Sequence, residues 1–499
     1  MEKGTTMEMK LLQKEAAVWI EEKPILKRQQ LSAEAVIPDS REDARSLVWT
    51  RGGVQLKGKE PSSRSCSFTG EVWACVLYLT ESGKTETLRI SREFEMSLDL
   101  EGTEPEAIPQ ISWQLASLEG RLVNPRKLGV SFDLQAEIRS FRKGTTLLNS
   151  ALPEDAPAQV HLLQDSAEAL LLRQVREKPF SLRERLSPGG EVKAPRSIAA
   201  EDIRFVSLQA ERLGARCIVK GELELRIWGS DETELPTGCS FRIPFSQLAE
   251  LDGETEGEIL VRAEPCSLYL EWMEGAEGER SLDAEIHGLL QLRVYARQLL
   301  GFASDGYSSR MPSVPIRESV AILRSLKRES LRLSAEESLP MPEDLQALLA
   351  AEPFLGPPEW EREKLRLPLT LDLLVRRADG SLDALRRSFR LQGGARPGLS
   401  EAVLRKITAF DAKLEDGKLK LRCEVELNWE QEETESLEVL TGLELDVDSA
   451  WDPSRLPALS LVMCGGESLW DLAKEYHSSV ELIKGCNPEP GRMLLIPAE

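Results

Sequence analysis

The C-terminal stretch Leu459–Glu499 reads LSLVMCGGESLWDLAKEYHSSVELIKGCNPEPGRMLLIPAE and carries the most specific pattern in the chain. Ser468 and Asp471 have the spacing of a capping box, in which two side chains satisfy free amides at the start of a helix. Ser478 and Glu481 repeat that spacing further along. Apolar runs lie at both ends of the stretch. The pattern therefore predicts a small unit in the order strand, helix, helix, strand.

Each predicted helix has an apolar face that can cover the two strands. In the first helix, this face consists of Leu469, Leu472, Ala473 and Tyr476. In the second helix, the residues expected to point inward are Val480, Leu482 and Ile483. Gly485 is expected to end the second helix in the left-handed conformation that glycine adopts easily. Trp470 lies off the first face, so it either sits at the rim of a binding surface or packs into a small core.

The same residues resemble a LysM module. Gly466–Trp470 is similar to the Gly-Asp-Thr-Leu-Trp turn of that family, and Ala473–Tyr476 matches its Ala-x-x-Tyr helix. LysM modules hold N-acetylglucosamine polymers in a groove between the first strand–helix loop and the second helix–strand loop. For residues 458–498, the resemblance implies a groove lined by Gly466, Glu467, Ser468, Leu469, Asn487 and Pro488.

Upstream of this stretch, one sequence pattern returns at a spacing of about 150 residues. Gly70 and Gly221 each begin a β-rich segment and lie 151 residues apart. A third, more divergent copy opens with the sequence LSAE at Leu333–Glu336, which repeats Leu31–Glu34. The period is longer than the units of helical solenoids or propeller blades. We therefore expect three tandem β domains.

The strands within a copy are visible in its composition. Gly70–Leu79 is rich in β-branched and aromatic residues, and Ser82–Lys84 has the composition of a hairpin turn. Apolar residues then alternate with more polar ones at Val130, Phe132, Leu134, Ala136 and Ile138. This period of two predicts a half-buried strand. The predicted fold class is mainly β, with three β-sandwich-like domains and a small C-terminal βααβ domain.

The copies resemble the SPOCS domain of spore-coat-associated proteins. The resemblance rests on Ile37–Asp39, the strand end Leu77–Leu79, Asn124–Lys127 and, in the second copy, Ile243–Gln247. The implied domains are residues 8–147, 160–300 and a degenerate copy at 318–447, followed by the LysM-like residues 458–498. Composition predicts linkers at Gly301–Pro315 and Asp448–Pro457.

Composition and charge exclude several classes of protein. The net charge of -21 argues against an extended nucleic-acid surface, which needs clustered Lys and Arg. No apolar stretch approaches the roughly 18 residues of a membrane span. Met1–Lys23 has no apolar core of a secretory signal, so a cytoplasmic location is expected. The 8 cysteines are scattered and predict buried thiols rather than disulfides or a zinc site.

No pattern of catalytic residues is present in the sequence. Ser82–Thr85 resembles the end of a phosphate-binding loop, but Tyr78 occupies the position of the required earlier glycine. Cys464, His477 and Cys486 match no common zinc spacing. We expect no enzyme activity, no cofactor and no metal. An enzyme would require a clustered polar pocket in the β domains, with a nucleophile and a base.

Repeated SPOCS domains followed by one LysM module is the arrangement of the SipL-like spore-envelope assembly proteins. The resemblance implies a non-enzymatic scaffold on the mother-cell side of the forespore surface. Its LysM module would dock the ATPase of the spore-coat base layer, alongside other coat morphogenetic proteins. In that case exposed side chains on the helices carry the interface, and the candidates are Trp470, Lys474 and Lys484.

The alternative is a protein that binds peptidoglycan through its LysM module. It predicts that Gly466, Ser468 and Asn487 control binding to chitin or murein oligomers. Backbone groups at these turns would then contact the acetamide groups of the sugar.

Overall fold

The structure of the protein is a computed structural model, in which 14 stretches can be described: residues 6–62, 65–99, 107–156, 159–188, 194–231, 236–253, 257–274, 280–356, 358–361, 364–394, 404–452, 456–463, 465–488 and 493–499. The fold is mainly β and β-sandwich-like, as the sequence predicts.

The strands of the body are β1 (Thr6–Lys10), β2 (Leu12–Glu21), β3 (Ile25–Val36), β4 (Ala44–Pro61), β5 (Ser65–Thr80), β6 (Thr85–Asp99), β7 (Ile108–Asn124), β8 (Lys127–Ala151), β9 (Val160–Leu186), β10 (Ser197–Leu213), β11 (Arg216–Ser230), β12 (Pro236–Glu250), β13 (Glu258–Glu274), β14 (Arg280–Ser308), β15 (Ser313–Pro340), β16 (Leu345–Leu355), β17 (Glu359–Glu361), β18 (Lys364–Arg377), β19 (Leu382–Gly394), β20 (Leu404–Glu415) and β21 (Lys418–Asp446). The C-terminal part contains β22 (Leu459–Met463), α1 (Leu469–Glu475), α2 (Val480–Cys486) and β23 (Met493–Pro497).

One order of strand pairing occurs three times along the chain. In unit 1, residues 25–151, β4-β5-β6 form one antiparallel sheet and β7-β8-β3 form another. Unit 2, residues 160–308, pairs β10-β11-β12 and β13-β14-β9 in the same way. Unit 3, residues 313–446, does so with β16-β18-β19 and β20-β21-β15, and β17 is an additional short strand.

The two sheets of each unit enclose an apolar core. In unit 1, the alternating residues of β8 all point into this core: Val130, Phe132, Leu134, Ala136 and Ile138. Each of these side chains is at most 2% exposed. Equivalent cores lie in unit 2 around Leu223 and Ile286, and in unit 3 around Leu369 and Val425. The predicted strand and its core-facing residues are therefore confirmed, but it is more than half-buried, because Asp133 and Glu137 on its other face are also buried.

The repeated glycines have a packing role. Gly70 on β5 is paired with Phe94 on β6, and Gly221 on β11 is paired with Phe245 on β12. A Cβ atom at Gly70 would lie 2.5 Å from the Phe94 ring, and one at Gly221 would lie 2.8 Å from the Phe245 ring. Each glycine thus makes room for an aromatic ring on the neighbouring strand.

The three units contact one another in a cycle. The fourth strand of each unit contacts the second strand of the next: β6 contacts β10, β12 contacts β16, and β19 contacts β4. An apolar cluster at the centre draws residues from all three units, among them Trp49, Trp228 and Leu374. The rings of Trp49 and Trp228 pack edge to face, with their centroids 5.1 Å apart. The units therefore form a closed ring.

The outer parts of the long strands continue beyond the sandwiches as paired ribbons. β9 pairs with β14, β15 pairs with β21, and β2 pairs with β8; β2 also pairs with β9 at Trp19 and Leu172. Apolar residues from these ribbons pack together around Phe141, Tyr295 and Leu326. We call this bundle the stalk; it comprises residues 12–21, 139–151, 160–176, 293–308, 313–328 and 429–446.

The predicted linker at Gly301–Pro315 is wrong, because most of it is strand. Its first part belongs to β14 and pairs with the start of β9, and its last residues begin β15. Gly306 is present for close packing rather than flexibility, because a Cβ there would lie 2.8 Å from the side chain of Leu440. This segment brings unit 2 to the C-terminal part of the chain.

Buried ion pairs join the three units at one end of the stalk. Glu430 of unit 3 accepts hydrogen bonds from Arg139 of unit 1, at 2.7 Å, and from Arg293 of unit 2, at 2.9 Å. Arg293 also donates to Glu21 on β2, at 3.0 Å. We call this group, together with Glu137 and Arg262, the Arg293 cluster.

The charges of this cluster depend on one another. Arg293 is 2% exposed, so its charge is almost completely removed from water. Burial alone would raise the pKa of Glu430, but the charge and hydrogen bonds of Arg293 and the charge of Arg139 outweigh it and hold this pKa below its ordinary value. Removing one partner therefore leaves the others as uncompensated buried charges.

A second group of ion pairs, the Arg51 cluster, links the same three units. Glu352 of unit 3 lies 3.6 Å from Arg51 of unit 1 and 3.2 Å from Arg226 of unit 2. Asp202 and Arg204 of unit 2 complete it, with their charged atoms 3.0 Å apart. Both clusters thus connect all three units through charge.

The Glu430→Gln variant should unfold at lower urea concentration than the parent protein. The loss of a buried carboxylate leaves Arg293 and Arg139 under-compensated, and we expect a cost of about 3 kcal/mol at pH 7. Because the pKa of Glu430 is depressed in the folded state, its contribution is present above the unfolded pKa of about 4.3 and is lost as the pH falls towards the folded value. The difference between the two proteins should shrink on acidification.

Glu433→Gln is the matched control, because Glu433 lies on the same strand but is exposed and contacts Ser325 and Lys327. Its unfolding midpoint should stay close to that of the parent. Equal midpoints for the Glu430 variant and the parent would contradict the role given to the Arg293 cluster.

Candidate functional site: the C-terminal module

The C-terminal module, residues 459–499, has the predicted order of strand, helix, helix and strand. β22 pairs antiparallel with β23, from Leu459 opposite Pro497 to Met463 opposite Met493. Ser468 caps α1: its hydroxyl accepts a hydrogen bond from the Asp471 amide at 3.1 Å and donates to the Asp471 carboxylate at 2.6 Å. The first predicted helix start is therefore confirmed.

The second helix differs from the prediction at both ends. Its N-cap is Ser479 rather than Ser478, and the Ser479 hydroxyl accepts from the Leu482 amide at 3.2 Å. His477 adopts a left-handed φ of 54°, and the helix begins one residue later than the Ser478–Glu481 spacing predicts. At the other end, Asn487 rather than a left-handed Gly485 follows the last helical residue. The capping-box spacing to Glu481 therefore pointed to the wrong serine of the Ser478–Ser479 pair.

The module shares its apolar core with unit 2. Leu472, Ala473, Ile483, Leu494 and Ile496 are buried, and they pack against Tyr307 at the end of β14. Leu469 and Tyr476 pack at the edge of this core, as the predicted helix face requires. Leu482 was expected to point inward but is 40% exposed. Because Tyr307 is 2% exposed, the module and the stalk bury a common surface.

Asp305 of β14 is the polar centre of this contact. Its carboxylate accepts hydrogen bonds from Trp470 Nε1 and from Lys474 Nζ, each at 2.9 Å, and from Arg317 at 2.7 Å. Burial raises its pKa, but the hydrogen bonds from Trp470 and Lys474 and the charge of Lys474 outweigh this and lower it. Asp305 therefore binds α1 as a charged acceptor.

Aromatic and backbone contacts strengthen the same junction. The ring of Trp470 packs edge to face on Tyr307, with the centroids 4.8 Å apart. The Tyr307 hydroxyl donates to the carbonyl of Ser478 at 2.7 Å. On the other side of the junction, the Glu499 carboxylate lies 2.6 Å from His161 Nε2. It also accepts a hydrogen bond from the Ser309 hydroxyl at 2.8 Å. The module is thus fixed to the stalk at several points.

The three predicted partner-binding residues lie in different surroundings. Trp470 and Lys474 are half-buried and bind Asp305 within the same chain. Lys484 on α2 is exposed. Of the two interpretations of Trp470, the structure favours packing, because its ring lies against the core that the module shares with Tyr307. Lys484 is the candidate among the three whose side chain faces solvent.

The predicted groove residues lie on the two loops, and most of them are exposed. Gly466 has a φ of 118°, which suits only glycine. The Glu467 carboxylate accepts a hydrogen bond from the Gly465 amide at 2.7 Å. The hydrogen bond from its own backbone amide and the one from the Gly465 amide lower the pKa of Glu467. Ser468 and Pro488 are exposed, whereas Leu469 is half-buried in the module core. Part of the second loop lies outside the described residues.

Asn487 has a structural role in this arrangement. Its side-chain amide donates to the carbonyls of Ile483 and Leu495, both at 2.7 Å, and its oxygen accepts from the Leu495 amide at 2.9 Å. Both donors are therefore used to hold β23 against α2. Replacing Asn487 would disturb the module itself, so it does not test sugar binding cleanly.

Sequence reasoning missed the most exposed apolar surface of the module. The outward apolar face consists of alternating side chains on the two paired strands: Leu459, Leu461, Met463, Met493 and Leu495. Their exposed fractions run from 38% at Leu495 to 76% at Met463. Val462, Leu494 and Ile496 point to the other side, into the module core. The sequence contains a signal for this face: the outward positions of β22 and β23, which would be polar in an ordinary half-buried strand, are apolar.

The part of the chain that the structure describes contains neither a metal-ligand cluster nor a membrane-spanning helix. Three or more potential metal ligands do not cluster anywhere among those residues. No helix among the described residues is long and apolar enough to span a membrane. No family model, curated protein or solved structure matches the chain. The SPOCS and LysM assignments therefore stay predictions from sequence resemblance.

The Asp305→Ala variant should loosen the module on the stalk. It removes the acceptor for Trp470 and Lys474, so amide exchange in α1 and α2 should become about tenfold faster in the full chain. Hydrogen exchange followed by mass spectrometry measures this, and unit 1 should stay unchanged. The control is Glu318→Ala, an exposed carboxylate on β15. Unchanged exchange in the Asp305 variant would show that this contact does not hold the module.

Proposed function

We propose that this protein is a non-enzymatic scaffold of the bacterial spore envelope, and that its C-terminal module docks a partner protein. The observation that carries the proposal is the outward apolar face on a module held in a fixed orientation. Soluble chains rarely leave contiguous apolar side chains exposed unless another surface covers them. The opposite side of the module, with Trp470 and Lys474, is already in contact with the stalk.

The sporulation context comes from the sequence resemblance to SPOCS and LysM modules. On that basis the partner is the ATPase of the spore-coat base layer, at the forespore surface facing the mother cell. The fold supports the scaffold part of this proposal: three units joined by buried charges give a body that can hold the module away from its own sandwiches. The stalk supplies the attachment through Asp305 and Tyr307.

The outward apolar face is suited to protein contact. Its two methionines, Met463 and Met493, lie opposite each other on the paired strands. Methionine is flexible and polarizable, so it adapts to an apolar partner surface. Lys484 is exposed on α2 and remains a candidate for the polar rim of this interface. The centre of the proposed interface is therefore on β22 and β23, and not at Trp470 and Lys474.

Peptidoglycan binding is the competing function. It is favoured by the exposure of Gly466, Glu467, Ser468 and Pro488 on the loops that form the groove in LysM modules. The two functions use different surfaces of the module. Variants of the strand face should therefore affect one and leave the other unchanged.

The Met463→Asp variant of the full chain should lose binding to the purified coat base-layer ATPase. A charge at the most exposed position of the apolar face should weaken capture at least about tenfold in a pull-down. Leu299→Asp is the control, because Leu299 is 68% exposed but lies on β14, away from the module. Its capture of the ATPase should match that of the parent.

The same proteins are sedimented with purified murein sacculi. The scaffold proposal expects no retention. Retention on sacculi by both the parent and the Met463 variant, without capture of the ATPase, would contradict the proposal and establish peptidoglycan binding instead.

A further inference from the structure

The two strands of the C-terminal module each have an inner edge, where they pair, and an outer edge. In an antiparallel pair, every second residue turns its amide and carbonyl towards the neighbouring strand, and the residues between turn theirs away. The Ala498 amide donates to the Ala458 carbonyl at 3.3 Å, so these two residues face each other. From the register of the pair, the residues with outward backbone groups are Leu459, Leu461 and Met463 on β22 and Met493, Leu495 and Pro497 on β23.

The outer edge of β23 is closed to a further strand. The side chain of Asn487 donates to the Leu495 carbonyl at 2.7 Å and accepts from the Leu495 amide at 2.9 Å. Pro497 has no amide hydrogen to offer. Just beyond the strand, the Glu499 amide donates to the His477 carbonyl at 3.1 Å. Occupied or missing backbone groups of this kind prevent another strand from pairing with an edge.

The outer edge of β22 is open. In the described part of the chain, the sheet of the module contains only β22 and β23. Among those residues, none is hydrogen-bonded to the outward backbone groups of Leu459, Leu461 or Met463. The side chains of the same three residues are 53%, 62% and 76% exposed, so this edge is accessible. We call the outward amides and carbonyls of these three residues the open edge; they recur about every 7 Å.

The hydrogen-bonding pattern of the open edge selects an extended backbone as its occupant. A β-strand presents carbonyls and amides at the matching spacing, whereas a helix uses its own backbone groups internally. Side chains at alternate positions of an added strand would lie beside Leu461 and Met463, so apolar residues are favoured there.

The charge of the module narrows the choice further. Residues 459–499 contain six acidic and three basic side chains. One of the basic side chains, Lys474, is already bound to Asp305 of the stalk. Electrostatic complementarity therefore favours a neutral or basic strand over an acidic one.

We propose that the partner protein docks by adding one of its own strands to the open edge of β22. The added strand is extended, apolar at alternate positions and neutral or basic. This inference rests on the proposed function, because it assumes a partner protein at the outward apolar face. The backbone hydrogen bonds fix the register of the partner, and the rest of its surface covers Met463 and Met493.

Capture of the purified coat base-layer ATPase by the full chain and by Leu461→Pro and Leu461→Ala variants tests the proposal. The Leu461 amide points away from β23, so proline removes an outward donor without breaking a hydrogen bond of the β22–β23 pair. Alanine shortens the same side chain but keeps the amide. We expect capture by the proline variant to be about tenfold weaker than capture by the alanine variant. Unchanged hydrogen exchange in α1 and β23 checks that both variants fold.

Hydrogen exchange of the parent protein gives a second readout. In the free protein, the amides of Leu459, Leu461 and Met463 should exchange rapidly, whereas those of Ser460 and Val462 are paired with β23 and should exchange slowly. Binding of the ATPase should slow exchange at the first three amides. It should also slow exchange in one continuous segment of the ATPase, which is the added strand.

Three results would overturn the proposal, and they differ in what they leave standing. Capture that is weakened equally by proline and alanine, with unchanged exchange at the open edge, means that the partner covers only the apolar face; the proposed function then survives. Failure of the parent to capture the ATPase overturns both. A dimer of the parent, detected by light scattering and abolished in Leu461→Pro, would place a second copy of this chain on the open edge.

Discussion

The contact between Glu430 and the guanidinium groups of Arg139 and Arg293 is the constraint on which the rest of the structure depends. Each of the three residues comes from a different unit. A buried charge pair costs desolvation energy and is tolerated only when its partners are correctly placed. The contact therefore specifies the relative position of the units more than it adds to their stability. The apolar packing of Trp49 on Trp228 at the centre of the ring supports the same arrangement.

That arrangement also determines where the C-terminal module sits. The strands that carry Arg293 and Glu430 continue into the stalk, and β14 ends beside the module with Asp305 and Tyr307. The helices of the module face inward onto this strand end, whereas the outward apolar face of β22 and β23 is left free. The proposed docking surface is thus a consequence of how the ribbons extend, and not of the module alone.

Local features could be predicted from the sequence because they depend on neighbouring residues. The capping serine of α1, the order strand, helix, helix and strand of the C-terminal module, and the alternating core residues of β8 are all in their predicted places. The repeated glycines were recognised by spacing, and the structure explains them as space for Phe94 and Phe245. The mainly β fold follows from the same patterns.

Features that depend on distant residues could not be predicted. The segment around Gly306 has the composition of a linker, but pairing with β9 makes it a strand. The role of Trp470 could not be predicted because its hydrogen-bond partner, Asp305, lies 165 residues away in the sequence. The arginines and carboxylates that join the units look like ordinary surface residues in a chain with so many charges. Their burial follows only from the ring.

A double-mutant cycle on Arg293 and Glu430 tests the central claim most directly, with the free energy of unfolding measured for Arg293→Met, Glu430→Met and the double variant. If the two charges form a coupled buried pair between units, each single change should cost about 3 to 5 kcal/mol, and the double variant should be more stable than the less stable single variant. If the two losses simply add, the residues act independently, and the contact does not hold the units together.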